Sequence, residues 1–372
     1  MLDEHLGYVA DRVRLDAFRQ AISKVVKPGD SVADLGCGTG VLGLLCLEAG
    51  ASRVWAIDST AMLEIARESM ARAGLSDKVQ FVRGHSHRVE LPERVDVVIC
   101  DHVGFFGFDY GIVQTLRDAR RRFLKPGGRI LPRSINLQLA AIQSQKAYGK
   151  ADNWADVVVP PEFHWVRRHA INAKHSVELD AGQLLSDAAA LGIIDLTVDS
   201  PDFLSWAAEL QIQQDGILHG LAGWFECELG PDVWMTNSPC ATQAIDRSQA
   251  FMPIDEPVPV KAGDVLNVRI MTRLADQLLA WTVDVPGAGH RFRNSTWQGM
   301  LWAPEDIIRS RPDRVPVLSR EGKARLAILG CCDGRRSASE IEQRVLEEYP
   351  DLFPSQDEIS CFVAQTLGRD TE

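Results

Sequence analysis

The chain has no apolar run approaching about 18 residues, so no membrane-spanning helix is expected and no membrane partner. Its first residues, MLDEHLGYVADRVR, are charged throughout and lack the apolar centre of a signal peptide. Basic residues are in deficit: 40 Lys and Arg against 51 Asp and Glu give a net charge of −11. That balance argues against non-specific binding of phosphate backbones, and no nucleic-acid partner is expected. It suits a basic partner as well as it suits solubility. The eight cysteines form no CxxC pair, which excludes the usual zinc and disulfide frameworks and places the protein in a reducing cytoplasm. Internal repeats and low-complexity segments are absent too. What remains is 372 residues of ordinary globular composition, enough for two domains and a small third.

Three textures follow one another. Residues 5–22 carry Val9, Val13, Ala17 and Ala21 at helical spacing. The runs SVADLG, RVWAID, VQFVRG and VDVVICD then alternate with helical segments, and Lys125-Pro126-Gly127-Gly128 reads as a turn into RILP. This alternation predicts a parallel sheet with helices on both faces, over residues 1–133. From 134 to 302 the strand-like runs INLQLAAIQ, AAELQIQ, LAGWFECEL, LNVRIMTR and LLAWTVDV predict an antiparallel β domain, with STWQGMLW as its last strand. Residues 303–372 read as a linker and three helices, with Ser337 and Ser355 as N-caps three residues before Glu340 and Glu358.

The chemistry concentrates on VADLGCGTGVLGLL, residues 32–45. Strand-GxGxG-helix brings a ligand close to the backbone at a strand end. A dinucleotide site prefers GxGxxG, for a pyrophosphate on the helix N-terminus. Here the spacing is GxGxG with Asp34 two residues earlier, which suits the amino and carboxylate groups of S-adenosylmethionine. Asp58 ends the next strand, where a carboxylate can accept from both ribose hydroxyls, of this cofactor or of NAD alike. The third strand leads into His85-Ser86-His87, where an adenine contact is expected, and the fourth ends in Cys100-Asp101. The whole array favours a methyltransferase over a dehydrogenase. His85 and His87, two apart on a strand, would point to opposite faces, and no metal is expected.

The array, the switch to a β domain after ILP and the pattern H-x8-R-x3-aromatic (His5, Arg14, Phe18) resemble the protein arginine methyltransferases, over about residues 5–300. The resemblance implies a Rossmann-like α/β methyltransferase domain (1–133), a β-barrel-like substrate and dimerisation domain (134–302), and here a small C-terminal helical domain (303–372). It implies S-adenosylmethionine as cofactor and S-adenosylhomocysteine as product. Arg14 would hold the cofactor carboxylate; Asp34, Gly36, Cys37, Gly38 and Gly40 would line the methionine part, and Asp58 would take the ribose. His87, beside Ser86, stands where the family has its adenine-contacting Glu. The family holds the acceptor guanidinium with two glutamates and a Thr-His-Trp loop. Asp101 stands at the first glutamate, Tyr110 at the second with Asp109 adjacent, and Ile245-Asp246-Arg247 at the loop.

The expectation is therefore an altered acceptor pocket, with Asp101 and Asp246 holding the acceptor and Asp109 or Tyr110 orienting it. His102 is a candidate general base or a wall residue. A carboxylate acceptor would instead want a cation, which points to Arg247. The resemblance further implies a homodimer through an arm within 145–175, around Trp154 to Trp165. The tail, with ILGCCDGRRSASEI, resembles the helical half of PqqD-like domains, which bind a precursor leader peptide; packing alone, through Ile328, Leu329, Ile341, Val345, Phe362 and Leu367, explains the same residues. The activity expected is transfer of a methyl group to a side-chain nitrogen of a peptide or protein, arginine first, in tailoring of a ribosomal peptide among other settings. Histidine or carboxylate methylation, or cofactor and peptide binding without catalysis, are the alternatives.

Overall fold

The computed structural model describes residues 2–309, 311–350 and 355–371. The chain divides into two compact units after Met300. The first begins with helices α1 (Leu2–Ala10) and α2 (Arg12–Val25); the break falls at Asp11, whose side chain caps α2 by accepting the Arg14 N–H. Then β1 (Ser31–Leu35), α3 (Val41–Glu48), β2 (Arg53–Asp58), α4 (Met62–Arg72), β3 (Val79–Arg83), β4 (Val95–Cys100), α5 (Ile112–Arg122) and β5 (Leu124–Leu131) alternate as expected. The five strands are parallel in the order β3-β2-β1-β4-β5. β1 is buried along its whole length, Ser31 and Asp34 included, as a central strand of a parallel sheet is. The order reverses direction at β1, so a crevice opens between the loops that follow β1 and β4.

Two readings need correction. Lys125–Gly128 does not separate a turn from a strand: β5 runs through it, but pairing jumps from Val95↔Leu124 to Val97↔Arg129, so the four residues loop out of the ladder. STWQGMLW is not a strand. Ser295 caps a helical turn, Thr296–Gly299, by accepting the Gln298 N–H.

Residues 134–295 form two antiparallel sheets. The larger has β7 (His175–Val177), β12 (Gln249–Val260), β10 (Gly216–Gly230), β6 (Ser134–Ile142) and β8 (Ala189–Asp195) side by side, with β11 (Val233–Thr236) also on β10. The smaller runs β15 (His290–Ser295), β14 (Leu278–Val285), β13 (Val265–Arg273), β9 (Phe203–Gln211). In β13 and β14 every second side chain is buried, the mark of one face on a core. Trp281 of β14 is buried and donates its indole N–H to Pro253 O of β12, joining the sheets. Leu218, Met252, Ile270 and Val283 share one apolar core with Val98 and Ile99 of the parallel sheet, so the two halves pack as one body. Between β6 and β7 lie helices α6 (Gln145–Asp152) and α7 (Arg167–Ala170) with short 3-10 turns.

The second unit holds α10 (Arg320–Gly330), α11 (Ala338–Glu348) and α12 (Gln356–Asp370), after the helical turn α8 noted at Thr296–Gly299 and the short α9 (Pro304–Arg309). Ser337 and Ser355 cap α11 and α12, Ser337 with Glu340 in a reciprocal capping box. Ile328, Ile341 and Val345 meet Cys331, Ile359 and Val363 in the core. Leu329 is only half-buried and lies outside it, because α10 turns Ile328 inward instead; Phe362 and Leu367 pack at its edge.

Candidate functional site

A cleft of about 440 Å³ opens at the carboxyl ends of the parallel strands. Gly36, Asp58, Ser86, His87, His102 and Tyr110 are among its walls. The loop after β1 turns on left-handed glycines: Gly36 has φ 64° and Gly40, at the start of α3, φ 80°. A Cβ at Gly36 would collide with the His102 imidazole, and one at Gly40 would press on Ala66 Cβ at 3.0 Å. Cys37 is buried, its N–H donates to Ile57 O at 3.0 Å, and burial pushes its thiol well up. The Gly38 N–H donates to Asp58 Oδ2 at 2.8 Å, while Asp58 Oδ1 accepts from the Thr60 N–H and hydroxyl, both at 2.7 Å. Asp58 is thus fixed at the cleft by its neighbours.

Asp34 sits behind the loop. It is buried, accepts the Gly43 N–H at 2.9 Å, and so ties β1 to the first turn of α3. Burial, opposed by that hydrogen bond, raises its carboxyl to about 7. His85 and His87 lie in a turn after β3 rather than on the strand, so both line the cleft instead of facing opposite ways. His87 Nδ1 stands 3.5 Å from Asp118.

A second cluster is built around Asp101, which follows β4. Arg14 Nε donates to Asp101 Oδ2 at 2.6 Å and Arg14 also reaches Tyr8 O at 2.8 Å. Both side chains of the pair are nearly buried. Burial pushes the Asp101 carboxyl up, but Arg14 and then Arg247 outweigh it and hold it below its ordinary value. Arg247 approaches the same Oδ2 at 3.5 Å and Gly104 O at 3.3 Å, with its guanidinium over the Tyr8 ring. Asp101 Oδ1 is closed off from solvent and accepts no hydrogen bond. Cys100 foremost, then Asp101 and Asp58, raise His102 to about 9 against the effect of burial.

The loop from Asp101 to Gly111 is clamped to the β domain. Asn237 donates to Phe105 O at 2.9 Å, and the buried Phe106 ring fills the space that a side chain at Gly223 would need. Asp109 does not face an acceptor. It turns inward, accepts the Phe105 N–H at 2.8 Å and the Phe106 N–H, and pairs through Oδ1 with Lys174. Lys174 lies over the Phe105 ring, 4.6 Å from its centre. Burial drives this amine down to about 7. Tyr110 is half-exposed on the cleft wall.

Asp246 is exposed and does not join Asp101. Only its backbone enters the site's framework, donating to Asp11 Oδ2 at 2.9 Å, and the side chain that turns inward is Arg247, one residue on. Sequence reasoning missed Lys174, Asp11, Thr60 and Tyr8. Asp11 and Thr60 carry a local signal, as capping residues beside a helix start. Lys174 carries none, because its partner is 65 residues away in a loop.

Comparison with known proteins agrees with this geometry. Residues 32–128 match the family described as a methyltransferase domain, and residues 134–283 match the arginine methyltransferase oligomerization subdomain. The chain is protein arginine methyltransferase-like. It is 33% identical over 257 residues to a probable protein arginine N-methyltransferase 6.1 of Oryza sativa subsp. japonica, covering 65% of this chain and 64% of that one. With the histone-arginine methyltransferase CARMER of Drosophila yakuba it shares 27% over 287 residues, 73% of this chain and 54% of that one. The chain thus spans less than two thirds of these curated relatives. In fold it is similar to a chain of the Trypanosoma brucei PRMT1 enzyme-prozyme heterotetrameric complex with AdoHcy (TM-score 0.71, 21% identity, 79% of this chain and 98% of that one). It is likewise similar to Arabidopsis thaliana protein arginine methyltransferase 10 (TM-score 0.67, 22% identity, 80% and 98%).

Proposed function

We propose that the protein is an S-adenosylmethionine-dependent methyltransferase acting on a side chain of a peptide or protein. The observation that carries this is that Asp58, at the end of β2, and the buried Arg14–Asp101 pair, at the end of β4, flank the glycine loop that follows β1. The residues present fit the cofactor. Asp58 is held rigid at the ribose position, His87 and Ser86 line the adenine end, and Gly36 lets a ligand pass close to the backbone. Arg14 spends two donors on Asp101 and Tyr8 O and keeps others for a carboxylate. Asp34, Cys37, Gly38 and Gly40 shape the loop rather than touch the ligand through their side chains. The bound cofactor supplies an electrophilic methyl on a sulfonium. Around it, Asp101, His102 and Tyr110 form the acceptor end.

The relatives' names put arginine first among candidate acceptors, and histidine or a carboxylate are the alternatives for the same site. The same likeness supports a homodimer in the manner of the oligomerization subdomain. Val157 and Val158 between α6 and α7 are 94% and 83% exposed, and Trp165 is half-exposed, which leaves an apolar arm for a second copy. The three-helix unit, with its PqqD-like motif, would bind a leader peptide. Eight free cysteines suit a reducing cytoplasm. Calorimetry with S-adenosylhomocysteine tests the reading: binding without added metal is expected, and a protein that binds NAD but not this product is no methyltransferase.

A further inference from the structure

Beside Asp101 the chain carries its own guanidinium. Arg247 sits on a loop held from both sides: the Asp246 N–H donates to Asp11, the Arg247 N–H to Ile245 O at 2.8 Å, and Arg247 O accepts from Gln249 at 3.2 Å. Its side chain is only 10% exposed. Of its five N–H donors, two reach acceptors, both at long distance, so most of its hydrogen-bonding capacity is unused. A buried cation this loosely bonded is costly unless something else completes it.

The two carboxylates of the loop after β4 each already face a cation. Asp101 Oδ2 is taken by Arg14 and Arg247, Asp101 Oδ1 is sealed, and Asp109 is spent on backbone amides and Lys174. Arg14 is matched by Asp101 and Lys174 by Asp109, so Arg247 is the cation without a carboxylate of its own. An incoming guanidinium would meet like charge.

We propose that the acceptor is a carboxylate of the peptide substrate, paired with Arg247 and converted to a methyl ester. This rests on the methyltransferase reading and names its substrate class. A carboxylate oxygen forms the new C–O bond as the methyl carbon's bond to sulfur breaks; the electron pair stays on sulfur and the sulfonium becomes a thioether. The anionic acceptor becomes neutral, and no proton has to leave. A protonated nitrogen acceptor would need a base to remove one, whereas Arg247 needs only an anion.

The test titrates full-length protein, saturated with S-adenosylhomocysteine, with blocked glutamate (N-acetylglutamate α-amide) and blocked arginine (N-acetylarginine amide). The glutamate probe should bind at least about tenfold tighter than the arginine probe, and Arg247→Gln should lose about tenfold or more of that affinity. Affinity for S-adenosylhomocysteine should stay within about threefold in the variant, and Arg247→Lys should recover part of the loss. Preference for the arginine probe, no binding of the glutamate probe, or its undiminished binding to a folded Arg247→Gln protein overturns the proposal. Should that variant not fold, the wild-type preference and the product decide. Label transferred from methyl-tritiated S-adenosylmethionine to peptide should come off in base as volatile methanol, and base-stable label overturns the ester. A wild-type protein that fails to bind S-adenosylhomocysteine overturns the methyltransferase reading, and this inference with it.

Discussion

Arg14 and Asp101, 87 residues apart, meet at 2.6 Å where the helix before the glycine loop crosses the end of β4. Neither can be neutralised alone without stranding a buried charge. Asp101→Asn should cost roughly 3–5 kcal/mol of folding stability, the usual penalty for breaking a buried pair from one side. The same change should weaken S-adenosylhomocysteine binding, because Arg14 loses the anchor that aims it. Urea unfolding and calorimetry measure the two effects. A wild-type unfolding midpoint in the Asn variant would mean the pair is solvated.

Asp58 has a double task, fixing the Gly38 amide and presenting its carboxylate to the cleft. Asp58→Ala should weaken S-adenosylhomocysteine binding by roughly 1.5–3 kcal/mol, the range for charge-assisted hydrogen bonds. Calorimetry at fixed pH measures it, and a loss below about 0.5 kcal/mol would remove Asp58 from the binding site.

Asp34 sets a pH dependence. Its folded carboxyl titrates at about 7 and its unfolded one near the ordinary value of 3.8. Between those values the folded protein keeps a proton that the unfolded chain has lost, so stability falls as pH rises through this window and levels off above it. The full drop is of order 4 kcal/mol. Asp34→Asn keeps an oxygen for the Gly43 N–H and removes the titration. The difference in unfolding free energy between pH 4.5 and 7.5 should therefore be smaller in the Asn variant, and an unchanged difference counts against a buried, protonated Asp34.

Lys174 and Asp109 form a second buried pair that shapes the acceptor loop. Lys174→Met alone should destabilise by roughly 3 kcal/mol, and adding Asp109→Asn should restore part of it. Additive single effects in the double-mutant cycle would show that the two do not interact.

The arm between α6 and α7 should make the protein a dimer at micromolar concentration. Val158→Asp puts a charge on the exposed apolar face and should shift sedimentation toward the monomer with the fold intact by circular dichroism. A wild-type protein that sediments as a monomer rejects the arm as an interface.

The alternation of strands and helices was legible because β1, β2 and β4 are buried on both faces and appear as short apolar runs between turns. The glycine loop was legible because left-handed φ values are a glycine property. Side-chain direction in loops was not. Nothing in IDR says that Asp246 faces solvent and Arg247 faces inward; that depends on Ile245 being buried and on Asp11 gripping the backbone between them. Asp109 shows the same limit, since its carboxylate serves its own loop, while the Lys that neutralises it comes from the far side of β6. Ser-Thr-Trp-Gln was read as strand because its composition is β-like, yet Ser295 caps a helical turn there.

The first helix has no buried residue of its own, and His5 is the side chain it lays nearest the Gly38 backbone. Leu2, Leu6 and Val9 only partly cover the apolar groove floored by Val41, Leu44 and Met62. Lifting this segment uncovers no buried side chain of its own, but it takes Tyr8 off the Arg14 and Arg247 guanidiniums, so its opening is coupled to the pair at Asp101. A movement of this first helix would therefore be felt at the Asp101 cluster while leaving the parallel sheet and both antiparallel sheets undisturbed.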